Sequence, residues 1–255
     1  MARAPTLNEY FVQNLPLSNA KIVLQRFKEY QTHTSPKQKL APLFDYLGGS
    51  ALKIEKVMDF GFGRGYIASS LFRMLGPEAH IVAYDPDENA IPCVAHPNID
   101  WRTDLDKCPL CHCDFDLIIV IHTLQHLSPF NQIETIKRLL KSLKQSGILY
   151  IYEDSWKRSG CDLRASSMRD EQFNCLREEE KHQLFRRNEY WSNSWCYNRI
   201  FDIANVNYRS LEQWETIVKE CGGSVVASSA MGFNRRRLHG VPSAWLIANP
   251  CIVPV

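Results

Sequence analysis

Residues 57–65 are VMDFGFGRG, a short apolar run that leads into three glycines at alternate positions. The apolar run predicts a β-strand, and the apolar spacing of residues 66–75 predicts a helix, so the glycines form a strand-to-helix turn. Glycine allows a sharp turn there and lets a ligand approach the backbone without meeting a Cβ atom. The helix that follows would present its first free amide groups to the same ligand. The stretch therefore predicts a nucleotide-type binding turn after the first strand.

The spacing of the glycines separates two kinds of ligand. A dinucleotide-binding turn is G-x-G-x-x-G, with the third glycine three positions after the second. Here Gly61, Gly63 and Gly65 alternate with other residues, and Asp59 precedes them. A carboxylate inside the turn would repel a pyrophosphate, whereas it would attract a ligand that has a cationic ammonium group. The turn therefore favours a cationic ligand; a plain tight turn without a ligand is the alternative.

Segments with strand and helix patterns alternate around this turn. Strands are predicted at residues 56–60, 80–84, 98–101, 115–121 and 147–153, and helices at 36–47, 66–75, 87–95 and 130–144. Residues 115–121, FDLIIVI, form a continuous apolar run, which is typical of a strand buried on both faces. The alternation predicts an α/β fold in which helices cover both faces of a mostly parallel sheet.

The remaining segments extend this core. We assign residues 1–34 to an N-terminal helical cap, residues 35–154 to the core itself, and residues 209–255 to a helix and two strands that complete the sheet. Residues 155–208 are polar, rich in aromatic side chains and without a strand pattern. Because about 54 residues make a poor core alone, we interpret them as a helical lid insertion rather than as a second domain.

Two acidic residues stand at the ends of the predicted second and third strands. Asp85 directly follows the second strand, and Asp104 lies just after the third. Ligands of open α/β sheets bind at the carboxyl ends of the strands, and an acid in the position of Asp85 can accept hydrogen bonds from a ribose diol. The alternative for Asp85 is a helix N-cap. Together with the glycine turn, the two acids predict one binding site along this edge of the sheet.

Five motifs in chain order resemble those of class I S-adenosylmethionine-dependent methyltransferases. They are the D-x-G-x-G-x-G turn at 59–65, Asp85, Asp104, the strand Phe115-Asp116-Leu117-Ile118, and the sequence LKQSG at 143–147. The resemblance covers residues 36–154 and continues more loosely to residue 249. It implies a Rossmann-like three-layer sandwich with a seven-stranded, mostly parallel sheet whose last strand is antiparallel, together with a helical lid insertion and N-terminal helices.

The same resemblance implies a cofactor, S-adenosylmethionine, with S-adenosylhomocysteine as its product. The three glycines would pass beneath the methionine and ribose parts, and Asp59 would contact the same region. Asp85 would hold the ribose hydroxyls, and Asp104 the adenine amino group. The implied cofactor contacts are completed by Pro86, Leu105 and His122.

Methyl transfer needs a base only when the acceptor must lose a proton early, as a phenol, an alcohol or a protonated amine does. The candidates at strand ends are His122, His126, Glu153 and Asp154, of which the two acids would otherwise cap the insertion or bind a substrate amine. His122 is preferred because imidazole titrates near neutral pH, although it would also suit a hydrogen bond to the cofactor or to a loop carbonyl. The family usually has two adjacent histidines here, and Gln125 replaces one of them. We predict no metal site, and we interpret Cys108–Cys113, CPLCHC, as free loop thiols.

The nature of the acceptor is less constrained. The insertion contains planar side chains that would either stack on a flat acceptor or form the insertion's own core: Trp156, Phe173, Phe185, Tyr190, Trp191, Trp195, Tyr197 and Phe201. We expect N- or O-methylation of a small molecule, of which a planar aromatic or heteroaromatic acceptor is one form. One alternative is an RNA or protein methyltransferase, with a basic surface that joins residues 235–237 to Arg186 and Arg187. The other is a non-catalytic scaffold that keeps the cofactor site.

Composition narrows the class of protein and its compartment. The chain has 255 residues, of which 45% are hydrophobic and 23% charged, as in globular domains. With 30 basic and 28 acidic residues the net charge is +2, which gives no strong signal for nucleic acid or for anionic membranes. No run approaches the roughly 18 apolar residues of a membrane span, and the first ten residues lack the apolar stretch of a signal peptide. We therefore expect a cytoplasmic monomer or homodimer whose nine cysteines form no disulfide framework.

Overall fold

The computed structural model describes residues 36–48, 53–87, 90, 96–104, 114–156, 173–191, 206–232 and 241–251. Its strands are β1 Lys56–Phe60, β2 His80–Tyr84, β3 Ile99–Arg102, β4 Phe115–Ile121, β5 Leu143–Asp154, β6 Gly223–Gly232 and β7 Ser243–Pro250. Its helices are α1 Pro36–Gly48, α2 Tyr66–Leu75, α3 Pro129–Ser142, α4 Glu178–Trp191 and α5 Leu211–Glu220, with a short 3₁₀ turn at Leu124–His126. The predicted N-terminal helical cap, residues 1–34, lies outside the described residues, as does most of the helix predicted at 87–95.

The seven strands form one sheet in the order β3-β2-β1-β4-β5-β7-β6. Neighbours from β3 to β5 pair in parallel, whereas β7 runs antiparallel to both β5 and β6. The predicted fold, a seven-stranded sheet with an antiparallel last strand, is confirmed. The chain adds β2 and β3 on one side of β1 and then crosses to β4 on the other side. The carboxyl ends of β1 and β4 therefore flank the point where an open α/β sheet forms its ligand crevice.

Helices cover both faces of the sheet, which makes three layers. Successive strand residues point to opposite faces, so Val57 and Leu117 belong to one core cluster, and Met58 and Ile118 belong to the other. The first cluster is completed by α1 and α2, mainly through Leu40, Leu43, Ala68 and Leu71. The second is completed by α3 and α5, mainly through Ile136, Leu139, Leu140, Trp214 and Ile217.

The boundary between α3 and β5 differs from the prediction. We expected the helix to run to residue 144 and the strand to start at Gly147, but α3 ends at Ser142 and β5 starts at Leu143. Leu143 has the extended angles φ −76° and ψ 144° and pairs with Phe115 across an irregular register. Gly147 is required in this stretch because a Cβ atom there would lie 2.8 Å from the Phe115 carbonyl oxygen. The helical pattern of residues 143–144 is therefore overridden by pairing with β4.

A third, smaller core lies between β5 and α4. It comprises Trp156, Phe173, Phe185, Val206, Tyr208 and Val241, which are all buried. The Trp156 and Phe185 rings are 5.1 Å apart, and the Phe185 and Tyr208 rings are 4.8 Å apart. Of the predicted planar residues, Trp156, Phe173 and Phe185 thus form the insertion's own core, whereas the other five side chains lie outside the described part of the chain.

Within the described ranges, no helix combines the length and the apolar character needed to cross a membrane.

Candidate functional site

The glycine turn joins β1 to α2 and is pinned to the end of β2. Gly61, Gly63 and Gly65 have φ values of +87°, +54° and +77°, a region that side chains with a Cβ atom rarely adopt. The backbone N–H groups of Gly61 and Phe62 both donate to the Tyr84 carbonyl oxygen, at 2.7 and 3.1 Å. Gly65 is the N-cap of α2, and it offers no side-chain cap to that helix. The turn therefore has the backbone that the sequence predicts.

Two of the glycines face very different surroundings. A Cβ atom on Gly61 would lie 2.1 Å from the Thr123 hydroxyl oxygen, so the turn packs directly against the loop that follows β4. A Cβ atom on Gly63 would meet no atom of the described residues within 4 Å. Gly61 is thus needed for close packing between two loops, whereas Gly63 borders open space in which a ligand can approach the backbone.

Asp59, near the end of β1, is a buried acid with an unsatisfied oxygen. Its side chain is only 1% exposed, and the Ala68 backbone N–H donates to the carboxylate. Oδ2 has no hydrogen-bond partner among the described residues. Burial, together with the nearby charge of Asp85, raises the pKa of Asp59 to about 7. A cationic ligand would satisfy the free oxygen and stabilise the carboxylate, so the residue fits the cationic ligand predicted for this turn.

Asp85 lies directly after β2 and braces the glycine turn. Its Oδ2 accepts the Gly63 N–H at 2.7 Å, and its Oδ1 accepts the Asp87 N–H at 3.0 Å. Because each carboxylate oxygen has two acceptor sites, Asp85 keeps capacity for a diol while it holds the loop. Pro86 follows it and is exposed.

The predicted cofactor contacts Asp104 and Leu105 follow the end of β3. Asp104 lies two residues beyond that strand and is exposed, in the position that the sequence predicts for it. Leu105 lies outside the described residues.

His122 is the first residue after β4 and has an unusual backbone. It is the only non-glycine residue with a positive φ, +51°, in the described part of the chain. Its backbone N–H donates to the Tyr152 carbonyl at 2.9 Å. Its Nδ1 lies 3.4 Å from Asp154 Oδ1, and the side chain is 25% exposed. The structure therefore brings His122 to the ligand crevice between β1 and β4, beside a carboxylate.

Glu153 anchors the loop after β4. The side chain is 1% exposed, and its Oε1 accepts the backbone N–H groups of Thr123 and Leu124, both at 2.9 Å. Burial, together with the charges of Asp154 and Glu189, raises the pKa of Glu153 to about 8. The observed contacts of Glu153 thus hold the backbone of the loop that packs on Gly61.

A residue of the insertion, Glu189 on α4, joins the same region. Gln125 Nε2 donates to Glu189 Oε2 at 2.9 Å, and His126 Nε2 lies 3.4 Å from Glu189 Oε1. The Tyr208 hydroxyl donates to the Phe185 carbonyl at 3.1 Å and lies 3.5 Å from Glu189 Oε2. Burial and the charge of Glu189 raise the pKa of Tyr208. These contacts link α4 to the 3₁₀ turn after β4.

Sequence reasoning did not assign a role to Glu189 or Tyr208. Gln125 and Glu189 are 64 positions apart, and no local pattern connects them. One signal was present: Glu189 lies four residues after the buried Phe185, on the same face of α4. An acid on an apolar helix face needs a buried partner.

The described residues contain no group of three or more side chains arranged to bind a metal ion. The cysteine cluster at 108–113 lies outside them.

Comparisons with known proteins identify related sequences and folds. A family model described as a methyltransferase domain matches residues 28–228. No curated protein sequence matches the chain. A solved complex of the Haloferax volcanii Trm112 methyltransferase activator with a methyltransferase is similar at 13% identity and a TM-score of 0.57, over 91% of this chain and 96% of that chain.

Two further structures were solved with ligands. One is Burkholderia thailandensis 1,6-didemethyltoxoflavin-N1-methyltransferase with 1,6-didemethyltoxoflavin and S-adenosylhomocysteine, at 13% identity and a TM-score of 0.52, over 98% of this chain and 93% of that chain. The other is Haemonchus contortus phosphoethanolamine N-methyltransferase 2 with phosphomonomethylethanolamine and S-adenosylhomocysteine, at 14% identity and a TM-score of 0.54. The match covers 84% of this chain and 52% of the Haemonchus contortus chain. At these identities the similarity shows the fold alone.

Proposed function

The chain belongs to the methyltransferase-domain family, and on that basis we propose that it transfers a methyl group from S-adenosylmethionine to a small-molecule acceptor. The observation that supports this most strongly is the glycine turn with Asp59 beneath it. No described residue fills the space beside Gly63, and the buried Asp59 has an oxygen without a described partner. A ligand with both a nucleoside and a cationic amino-acid part would match these two features.

We propose how the residues of this chain hold that cofactor. The bound cofactor supplies a methyl group on a sulfonium, which is already activated for displacement. Asp59 would face the cationic part, and Asp85 would accept hydrogen bonds from the ribose while it keeps Gly63 in place. Asp104, with Pro86 and Leu105, would border the adenine. The remaining task of the protein is to align the acceptor and exclude water.

Charge at the neighbouring strand ends favours a small acceptor over RNA. Glu153, Asp154 and Glu189 are all buried there, and the charges of Asp154 and Glu189 both act on Glu153. Glu153 is largely protonated at neutral pH because its pKa is raised to about 8, but the charges of Asp154 and Glu189 would repel a phosphate backbone and suit a neutral or cationic acceptor. The two ligand-bound structures named above have small acceptors, which supports the same choice.

We propose that residues 155–208 form a lid over the acceptor. In the described part of this insertion, Glu189 contacts Gln125 and His126 of the core. Where the acceptor must lose a proton, His122 would be the base, because it lies at the crevice beside Asp154. Glu153 holds the loop backbone and His126 contacts Glu189, so both are weaker candidates for that role. A cytoplasmic location belongs to the same proposal, because nine cysteines suit a reducing compartment.

A methyl-transfer assay tests this proposal. The protein is incubated with methyl-labelled S-adenosylmethionine and, separately, a panel of small amines, phenols and heteroaromatic compounds, total RNA, or a protein extract. The proposal predicts label in at least one small molecule. Label in RNA or protein alone would support the macromolecular alternative. Calorimetric binding of the cofactor without transfer to any class would support the non-catalytic scaffold.

A further inference from the structure

Three neighbouring strand ends bring His122, Asp154 and Ser243 together. His122 follows β4, Asp154 ends β5, and Ser243 begins β7. Because β7 is antiparallel to β5, its first residue is the cross-strand partner of Asp154. β4 pairs with β5 on the other side, up to Ile121 opposite Tyr152. The sheet itself therefore sets the order of these three side chains.

Their polar contacts converge on one oxygen. The Ser243 hydroxyl donates a long hydrogen bond to Asp154 Oδ1, at 3.4 Å, and His122 Nδ1 lies 3.4 Å from the same oxygen. Asp154 is largely buried, with 12% of its side chain exposed, and His122 keeps 25% exposed. The Nδ1–Oδ1 contact lacks hydrogen-bond geometry, so Asp154 acts on the ring as a nearby negative charge, which favours the tautomer that has its proton on Nδ1.

The backbone conformation of His122 and the ring of Tyr152 also constrain the imidazole. His122 has φ +51°, a conformation that a side chain with a Cβ atom adopts only when its surroundings impose it. The His122 backbone N–H donates to the Tyr152 carbonyl, and the Tyr152 ring meets the imidazole edge to face at 5.4 Å between centroids. Strained backbone of this kind is concentrated at functional sites.

We propose that Asp154, steadied by Ser243, is a positioning residue that holds His122 with its proton on Nδ1 and its lone pair on Nε2. This inference rests on the proposed function. A proton from the acceptor N–H or O–H would move to Nε2, and the imidazolium so formed would be stabilised by Asp154. The electron pair left on the acceptor atom forms the bond to the methyl carbon, and the pair of the broken carbon–sulfur bond stays on sulfur. The imidazolium then returns the proton to solvent.

Other ionisable groups lie around His122, Asp154 and Ser243. The charge of Asp154 acts on Glu153, next to it on β5, and on the Tyr208 hydroxyl. Glu189 on α4 acts on the same two groups and contacts His126. The Tyr152 ring lies against the imidazole itself. A test must therefore follow His122 directly rather than infer its state from activity alone.

Nuclear magnetic resonance of ¹⁵N-histidine-labelled protein provides that direct readout. The chain has eight histidines, and the signal lost in His122→Ala assigns His122. We expect its neutral ring to be the Nδ1–H tautomer in the native protein. In Asp154→Asn that tautomer loses population and the imidazolium disappears at lower pH. Asp114→Asn is the matched control, because Asp114 precedes β4 at the opposite end of the strand and pairs with Lys56 at 2.9 Å.

Kinetics supply the second readout once an acceptor is found. Asp154→Asn should lower kcat/KM by about 100-fold and move the acidic limb of its pH profile to lower pH, while cofactor affinity stays within about twofold. Ser243→Ala, a milder change in case Asp154→Asn misfolds, should lower kcat/KM about threefold. In a His122→Ala background, Asp154→Asn should cost nothing further, because residues that act as a unit are not additive.

Two results would overturn the proposal. One is that the His122 tautomer and titration are the same in the native protein and in Asp154→Asn. The other is that Asp154→Asn costs as much activity without His122 as with it. If the native protein transfers no methyl group to any acceptor, the proposed function fails, yet the spectra still decide whether Asp154 positions His122.

Discussion

Gly61→Ala tests the close packing between the glycine turn and Thr123 in the loop after β4. Gly61 has φ +87°, and an added Cβ atom would lie 2.1 Å from Thr123 Oγ1 and 2.4 Å from Thr123 Cγ2. The variant therefore adds two separate costs. One is the strain of a left-handed backbone, about 1–2 kcal/mol, and the other is overpacking, about 1–3 kcal/mol.

Gly222→Ala is a matched control for the first cost. Gly222 has the same φ of +87°, but a Cβ atom there would lie more than 4 Å from every other atom in the part of the chain that the structure describes. Since 1 kcal/mol shifts Tm by about 2–4 °C in a domain of this size, Gly222→Ala should lower Tm by about 2–8 °C. Gly61→Ala, at about 2–5 kcal/mol in total, should lower it by about 4–20 °C.

Thermal unfolding followed by circular dichroism measures both variants, and a double variant tests the cause. Thr123→Ala removes Oγ1 and Cγ2 but leaves Thr123 Cβ, which would lie 2.8 Å from the added Cβ atom of residue 61. It should therefore restore part of the loss in Gly61→Ala. Equal Tm losses in Gly61→Ala and Gly222→Ala, or no rescue by Thr123→Ala, would refute the close packing between the glycine turn and the loop after β4.

Three further predictions concern buried carboxyl groups. The pKa of Asp59 is raised to about 7, and a cationic ligand prefers the ionised carboxylate. The affinity for S-adenosylmethionine should therefore rise with pH up to about 7 and then level off. Calorimetry should show that binding releases a proton, and Asp59→Asn should abolish both the pH dependence and the proton release. The pKa of Glu153 is raised from 4.5 to about 8, so the stability that its protonated form contributes is fully present below about pH 4.5 and is lost as the pH rises towards about 8. Glu153→Gln, which does not ionise, should therefore gain stability relative to the native protein between about pH 5 and pH 8 in urea titrations. A stability difference between the two proteins that is the same at every pH would contradict this. Glu189→Ala removes the contacts of Glu189 with Gln125 and His126, which should cost about 1–3 kcal/mol and speed proteolysis within α4. Glu179→Ala, on the exposed face, should change neither stability nor proteolysis.

Much of the cofactor half of the site follows from local sequence patterns. The order of strand, glycine turn and helix in residues 56–75 depends on backbone preferences and apolar spacing that act over a few residues, and the structure has these elements at the predicted bounds. Asp59 and Asp85 are placed by the strands they end, so their positions at one sheet edge were predictable. The class I methyltransferase fold was predictable for the same reason.

The acceptor half depends on contacts between distant parts of the chain. Asp154 meets Ser243 because β7 returns antiparallel beside β5, at a separation of 89 positions, and Glu189 meets Gln125 only after α4 has packed on its aromatic core. The role of Glu153 was also hidden, because the backbone N–H groups it accepts belong to a loop 29 and 30 positions earlier. Leu143 was predicted as helix because pairing with β4, not local preference, determines its conformation.

Isothermal titration calorimetry with S-adenosylmethionine, comparing the native protein with Asp85→Ala, is the sharpest test of the proposed cofactor site. We expect one binding site per chain in the native protein. In Asp85→Ala we expect affinity weaker by about 1–3 kcal/mol, because the substitution removes both the ribose acceptor and the brace on Gly63. Absence of binding by the folded native protein, or identical titrations for the two proteins, would show that this crevice does not hold the cofactor in the way proposed.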